Sequence, residues 1–362
     1  MIKPESEVSL SNFIREAEGS LRILGGGTRP LGLGIGEALT TSGLSGISLY
    51  EPGALTIVAG AGTPLVEIEA ALEAKNQRLP FEPMRGHAVF GTTGESTIGG
   101  VVAANVSGPR RIQAGACRDS LIGVRFVDGR GDIVKNGGRV MKNVTGYDLV
   151  KLMCGAFGTL GVLSEVAFKV LPGVEAVMTV EIAGLDDNAA VTAMSTALGS
   201  PFEVSGAAHD PDMGVTMLRI EGFMDSVAYR AAELSKLLAS FGDVSLNEAT
   251  NWVAVRDAWK FIDGDGDLWR ISVKPSDGMR VGLALGGAKL LYDWGGGLVW
   301  AEVAKGTDVR GALVEIAGHC TLIRGIGSGP VFEPPTGALA AVTDGLRKQF
   351  DPRGILNPGL MR

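Results

Sequence analysis

Three glycines and a threonine, Gly25-Gly26-Gly27-Thr28, directly follow the apolar run Leu21-Arg22-Ile23-Leu24. Such a loop offers several unobstructed backbone N–H groups and one hydroxyl, a nest that can hold a diphosphate without net positive charge. The same four residues also make a tight turn with no ligand. A second group lies further on: Thr97, Gly99 and Gly100, then Asn105, Ser107 and Gly108, then Gly115 and Asp119. Glycines let backbone lie against a flat ring, while short Thr, Asn and Ser side chains reach its heteroatoms. A flavin pyrimidine edge, with N1, C2=O, N3 and C4=O in a row, asks for that combination. A third group, Gly158-Thr159-Leu160-Gly161-Val162, could set main-chain groups against an adenine or ribose. Each is ambiguous alone; in this order they point to a flavin dinucleotide. Other nucleotide chemistries lack their signatures: no Gly-Lys-Ser/Thr occurs, and no clean GxGxxG follows the first strand.

The elements around these loops have alternating apolar runs and turn residues. We expect a helix over 9–20, strands at 21–24 and 55–59, and a helix over 65–77 with Pro64 just inside its first turn. Asp128-Gly129 predicts a hairpin between 121–127 and 133–134. A helix around 146–154 and a strand over 163–171 complete this part, and Pro172-Gly173 marks the expected boundary. Beyond it glycine thins out. Strands at 175–183, 202–208 and 214–222 with helices at 186–198 and 225–241 read as a ferredoxin-like β-α-β-β-α-β unit. A second helix-and-strand set runs to about 345, and the turn-dense 346–362 reads as a tail that folds back.

Composition agrees. The chain of 362 residues has 54 glycines, 45% hydrophobic and 20% charged residues, and a net charge of -7. No basic cluster suits nucleic acid or a membrane surface. No run is long enough to span a bilayer, and no apolar signal core opens the chain, so a cytoplasmic protein is expected. Three scattered cysteines, Cys117, Cys154 and Cys320, read as reduced, buried small residues.

These segments carry a resemblance. GGGT at 25–28, SGPRR at 107–111, RDSLIGVRFVDGRG at 118–131 and GGRVMKNVTGYDLVKLMCGAFGTLGVLSEV at 137–166 resemble FAD flavoproteins of the vanillyl-alcohol-oxidase and p-cresol-methylhydroxylase (PCMH) type. With DWGGG at 293–297, GHCTLIRG at 318–325 and FDPRGILNPGLM at 350–361, the chain is similar to the FAD-binding E subunits of bacterial glycolate oxidase (glycolate dehydrogenase). The resemblance implies an α+β protein in three parts. A two-part PCMH-type FAD domain spans 1–172 (about 1–80 and 81–172), a cap spans 173–345, and the tail 346–362 packs back on the FAD domain. It also implies that Gly25, Gly26, Gly27 and Thr28 hold the pyrophosphate. Thr97, Gly99, Gly100, Ser107, Gly108, Gly115 and Asp119 would hold the flavin and its linker, Gly158 and Val162 would line the adenosine half, and Asn357 would return to the flavin. Several members bond the flavin to a loop histidine. Thr28 stands there in this chain, so noncovalent FAD is expected.

Oxidising a small 2-hydroxy acid needs a cation for its carboxylate and a base for its hydroxyl proton. His319, Arg256 and Arg324 are the candidates, with Arg270 beside them; each arginine could equally form a surface ion pair and His319 could be a packed strand residue. His87 and His209 sit in loop-like contexts and are expected to face solvent. Asp263-Gly264-Asp265-Gly266-Asp267 mimics a calcium loop but has Lys274 where a bidentate glutamate is required, so a surface turn is expected. Gly325-Ile326-Gly327-Ser328-Gly329 misses the GxSxG nucleophile elbow. No Cys/His/Glu group has metal-ligand spacing, so no metal is expected. The resemblance then implies partners: a catalytic FAD subunit and an iron–sulfur subunit of one glycolate-oxidising complex, with any contact to the inner membrane through a partner. Two alternatives stay open, a self-sufficient FAD-dependent 2-hydroxy-acid dehydrogenase and a scaffold whose FAD is structural.

Overall fold

The computed structural model describes residues 1–32, 34–138 and 146–361. The first helix, Glu7–Glu16, starts earlier than expected because Ser6 and Ser9 form a reciprocal cap, each side chain accepting the other's backbone N–H at 3.1 Å. Strand Leu21–Leu24 pairs in parallel with Glu37–Thr40, a strand that the pattern did not announce. A five-stranded antiparallel sheet follows, in the order Ile47–Glu51, Thr56–Gly60, Val162–Lys169, Leu121–Val127, Ile133–Gly137. The Asp128-Gly129 hairpin is present: Asp128 Oδ1 accepts the N–H groups of Arg130 and Asp132 at 2.8 and 3.0 Å. Helix Leu65–Glu73 buries Leu65, Ile68 and Leu72 against Ile57, Phe126 and Phe168 of this sheet. Pro64 is its capping residue rather than its first helical one. Residues 139–145 of the 137–166 stretch lie outside the described residues.

From Ala176 to Arg324 runs one eight-stranded antiparallel sheet. Ala176–Ala183, Gly206–Asp210, Val215–Gly222 and Asp243–Asn247, with helices Asp187–Leu198 and Met224–Leu238, make the ferredoxin-like unit. A second copy of that pattern follows in Asp267–Val273, Lys289–Asp293, Leu298–Val303 and Gly318–Arg324. The two join edge to edge at the His209–Tyr292 pairing. Because strand side chains alternate, the sheet has two apolar faces. Trp269, Ile271, Tyr292 and Val299 pack under the helices with Met194 and Leu234. Leu268, Leu291, Trp300 and Ile323 face the other way and pack against Met84 and Val89 of the nucleotide-binding half.

The end of the chain crosses back. After helix Gly337–Phe350, Leu21 N donates to Ile355 O at 2.7 Å and Asn357 N donates to Leu21 O at 2.9 Å. Arg353 ties the same segment to the carbonyls of Ile14 and Gly129.

Candidate functional site

Two adjoining cavities lie where these elements converge. The first, about 270 Å³, has the Gly25–Thr28 loop on one side and Thr97–Gly100 on the other, with Gly158, Gly161 and Asn357 towards its end. Its glycines do two different jobs. A side-chain carbon on Gly26 would lie 1.4 Å from the Glu95 carbonyl oxygen, and one on Gly94 would lie 1.9 Å from that of Gly26. Gly99 is closed in by Ala61, whose Cβ and carbonyl oxygen would each lie 2.6 Å from an added carbon. These positions let backbone pass against backbone. Gly27, at φ +73°, and Gly100 are different: an added carbon at Gly27 meets nothing within 4 Å, and at Gly100 only Thr97 Oγ1 at 3.2 Å. There the missing side chain leaves open space in the cavity, as a cradle for an extended ligand requires. Thr97 is a cap, its Oγ1 accepting Gly100 N–H at 3.3 Å.

Asn357 closes the far end. Its Oδ1 accepts Ile23 N–H at 2.8 Å and its Nδ2 donates to Phe157 O at 2.7 Å, so it clamps the first strand to the turn that carries Gly158. Val162 is placed differently: its side chain is buried with Leu10, Ile14 and Leu21, and its neighbours Gly161 and Leu163 line the cavity.

The second cavity, about 370 Å³, shares Arg29, Leu31, Ala104 and Phe157 with the first. Ser107 and Gly108 form one wall; Ser107 Oγ accepts Cys117 N–H at 3.0 Å. Gly115 and Asp119 line neither cavity, and Asp119 Oδ2 accepts Ala116 N–H at 2.8 Å as a local cap.

The facing wall comes from the cap sheet. Arg270 and Ser272 of one strand pair with Thr321 and His319 of the next, and all four face the cavity. Trp294 stands between the halves at an unusual positive φ of 54°, its Nε1 donating to Gly108 O at 3.0 Å. The guanidinium of Arg111 lies 4.3 Å from its ring centre and that of Arg270 5.0 Å. Asp293 Oδ1 accepts Trp294 N–H at 2.7 Å, yet burial pushes its carboxyl up to about 7. Burial brings Arg270 down to about 10, aided by Arg111 and opposed by Asp293, so it stays charged. Burial and then Arg270 hold His319 below its ordinary value, against Glu333, which favours the neutral imidazole.

The other candidates separate. Arg256 reaches the second cavity, but Asp257 fills its fork at 3.0 and 2.7 Å. Arg324 lines neither cavity; it donates to the carbonyls of Val89 and Ile262 and lies 3.7 Å from Glu302. His87 is exposed, as expected. His209 is not: it is fully buried in strand Gly206–Asp210, with Nδ1 2.9 Å from Thr216 Oγ1. The strand expected over 202–208 runs over Gly206–Asp210 instead and so carries His209 into the sheet. The Asp263–Gly266 segment is a surface turn whose Gly266 N–H is held by Glu302. Among the described residues no group of three or more His, Cys, Asp or Glu side chains could hold a metal ion. All three cysteines are buried. Sequence reasoning missed Arg29, Arg111, Asp293 and Trp294, although the matching stretches 107–111 and 293–297 contain three of them.

Comparison with known proteins fits this geometry. Residues 1–137 match the FAD binding domain family model. The glycolate oxidase subunit GlcE of Escherichia coli K12 is 35% identical over 90% of this chain and 87% of its own length. The glycolate oxidase subunit GlcD of Bacillus subtilis is 36% identical over 33% of this chain and 24% of its own. A D-lactate dehydrogenase of Anaerostipes hadrus is 33% identical over 43% of this chain and 31% of its own. In fold, an alkyldihydroxyacetonephosphate synthase superposes with a TM-score of 0.73 at 14% identity, covering 99% of this chain and 76% of that one.

Proposed function

Since this chain belongs to the PCMH-type FAD flavoproteins, in the family of the glycolate oxidase subunit GlcE, we propose that it is the FAD-binding subunit of a glycolate-oxidising complex. In that complex it relays electrons from a catalytic flavin subunit towards an iron–sulfur subunit. That it is an FAD-dependent oxidoreductase follows from its relatives. The observation that carries the finer reading is the extent of the GlcE match, which reaches 90% of the chain and so extends beyond the nucleotide-binding part into the cap.

The residues suit the cofactor. The Gly25–Thr28 backbone would take the diphosphate, with the space left by Gly27 and Gly100 for the chain that carries it. Gly158, on the turn whose Phe157 carbonyl Asn357 holds, would line the adenosine half. Ser107 and Gly108, beside the shared residue Ala104, would face the flavin edge. Thr28 occupies the loop position where several members carry the flavin-bonding histidine, which supports noncovalent FAD. Bound FAD supplies two-electron acceptance and one-electron release.

The test is purification from the native host with identification of co-purifying subunits, followed by anaerobic mixing with glycolate. The proposal expects partner subunits, FAD released intact by acid, and flavin reduction in the complex but not in the isolated chain. Reduction of the isolated chain at the turnover rate of the complex would replace this reading with that of a self-sufficient 2-hydroxy-acid dehydrogenase, which the convergence of Arg270 and neutral His319 favours. A flavin reducible by dithionite that partner subunits never reoxidise would leave a scaffold.

A further inference from the structure

Asp293 is placed unlike the other buried aspartates. Asp128, Asp257, Asp267 and Asp277 each have both carboxyl oxygens engaged by N–H groups or cationic side chains. Asp293 is 2% exposed, and only its Oδ1 is engaged, accepting Trp294 N–H at 2.7 Å; its Oδ2 accepts no hydrogen bond among the described residues. Asp351 also leaves one oxygen unpartnered, but it lines neither cavity. Asp293 is the only acidic residue that lines the second cavity among the described residues.

Trp294 links this carboxyl to the opposite wall, because its Nε1 donates to Gly108 O. The charged groups that act on Asp293 are Arg219 and Arg270, on other strands of its sheet, and Glu82 from the nucleotide-binding half. Arg111 stands on the ring of Trp294, and Arg29, Arg118 and Arg256 line the same cavity. Arginines keep their protons near neutrality, and Glu82, gripped by Arg219, is held below its ordinary value and stays ionised. His319 can titrate, but it keeps contact with solvent, which screens it from charge across the cavity. Burial pushes the Asp293 carboxyl up to about 7, so it is the enclosed group of this wall whose charge can change near neutrality.

We propose that Asp293 takes up a proton when a flavin seated against Ser107 and Gly108 is reduced, and returns it when the flavin is reoxidised. Reduction adds negative charge to the ring, and a carboxylate enclosed close to added negative charge gains affinity for a proton. The proton comes from water and bonds to the free oxygen, turning carboxylate into carboxylic acid. No other bond of the side chain changes. The electrons remain on the flavin and come from its two-electron donor, whether a partner flavin or a 2-hydroxy acid. Electron passage through the chain is thereby coupled to proton exchange at one carboxyl.

The inference rests on the placement of FAD proposed above and not on the relay, since an electrode can supply the electrons. Purified full-length holoprotein is titrated spectroelectrochemically at several pH values, and the slope of midpoint potential against pH counts protons taken up per two electrons. At pH about 8 wild type should take up roughly one proton more than Asp293→Asn, and at pH about 5 the two should agree, because Asp293 is then protonated in both redox states. The infrared difference spectrum on reduction at the higher pH should show a protonated-carboxyl band in wild type and none in Asp293→Asn. Equal slopes at every pH overturn the proposal. An extra proton that persists in Asp293→Asn and vanishes in His319→Gln assigns the uptake to the imidazole and also overturns it. If Asp293→Asn loses FAD, Asp293→Glu decides: a carboxyl band that moves with the longer side chain supports the proposal, and the absence of any band in wild type overturns it. Full flavin content in Gly100→Leu would remove the placement of FAD and this inference with it. Reduction of the isolated chain by glycolate would overturn the relay alone.

Discussion

Glu82 of the nucleotide-binding half takes both terminal nitrogens of Arg219 from the cap sheet, Nη1 on Oε1 at 2.9 Å and Nη2 on Oε2 at 2.8 Å. The arrangement is answered in the opposite sense: Arg110 of the nucleotide-binding half grips Glu221 of the cap at 3.0 and 2.8 Å, and Arg78 adds a third contact at 3.0 Å. Burial pushes Glu221 up, but Arg110, Arg219 and Arg78 together bring it far below the usual carboxylate range. Two reciprocal forks fix translation and rotation of one sheet against the other. The cavity between them inherits that precision.

Glu82→Gln should therefore do more than remove one ion pair. It leaves the buried Arg219 with an amide in place of its counter-ion, and breaking a buried pair from one side costs about 3–5 kcal/mol. The expected result is a lower thermal midpoint together with weaker FAD retention. Wild-type stability by denaturant titration would show that the apolar layer alone sets the junction. Glu82 and Glu221 are both held below their ordinary values, so their contribution is present above the unfolded carboxylate range and is lost as pH falls through the folded values.

Substitutions at two glycines should fail for different reasons. Gly26→Asp and Gly26→Ala should lose FAD alike, because any side-chain carbon there meets the Glu95 carbonyl at 1.4 Å before charge matters. Gly100→Leu places its side chain in the open cavity, with only Thr97 Oγ1 at 3.2 Å to displace. That protein should fold with the thermal midpoint of the flavin-free wild type and stay colourless. Full flavin content in Gly100→Leu would put the cofactor elsewhere.

Local signals were legible and long-range ones were not. The cradle could be read because its residues are clustered glycines beside apolar strands, a pattern set by backbone sterics alone. The reason for Gly26 could not, since its neighbour Glu95 approaches only in the fold. The ferredoxin-like alternation of 175–241 was legible through strand period and helix period, whereas Glu37–Thr40 and Ile47–Glu51 are too short, and too closely flanked by Gly36 and Gly46, to show a period. His319 and Arg270 share a cavity only because strand register sets Ser272 opposite His319. Nothing in the sequence separated Arg270, which faces the cavity, from Arg324, which ties two backbone carbonyls.

Asp293 predicts a pH effect of definite sign. Its folded value, raised by burial to about 7, lies above the unfolded value of about 3.9. The native state therefore holds a proton that the unfolded chain has lost, and stability falls as pH rises through about 7. Asp293→Asn can keep an oxygen acceptor for Trp294 N–H but has nothing to ionise. The variant's stability advantage should widen between pH about 5 and pH about 8, by on the order of 2 kcal/mol. A constant gap across that range would mean that Asp293 is ionised throughout.

Asn357 offers the sharpest test of the tail. It is held at a positive φ of 43°, where asparagine is tolerated better than most residues, and it spends both ends of its amide on different segments. Asn357→Ala strands the Ile23 N–H and the Phe157 carbonyl, and each unmet buried group costs about 1–3 kcal/mol. The tail itself should stay docked, because Leu21 still exchanges backbone hydrogen bonds with Ile355 and Asn357, and Arg353 still ties down Ile14 and Gly129. The damage should thus fall on the spacing between the first strand and the Gly158 turn, the two sides of the first cavity's end. Fluorescence titration of the flavin-free protein with FAD should show about tenfold weaker binding, with a smaller loss of thermal stability. Asn357→Asp should be worse than Ala: it keeps an acceptor for Ile23 but sets a carboxylate against the Phe157 carbonyl and close to where the diphosphate is proposed to lie. Equal FAD affinity in all three proteins would reduce Asn357 to a packing residue and detach the tail from cofactor binding.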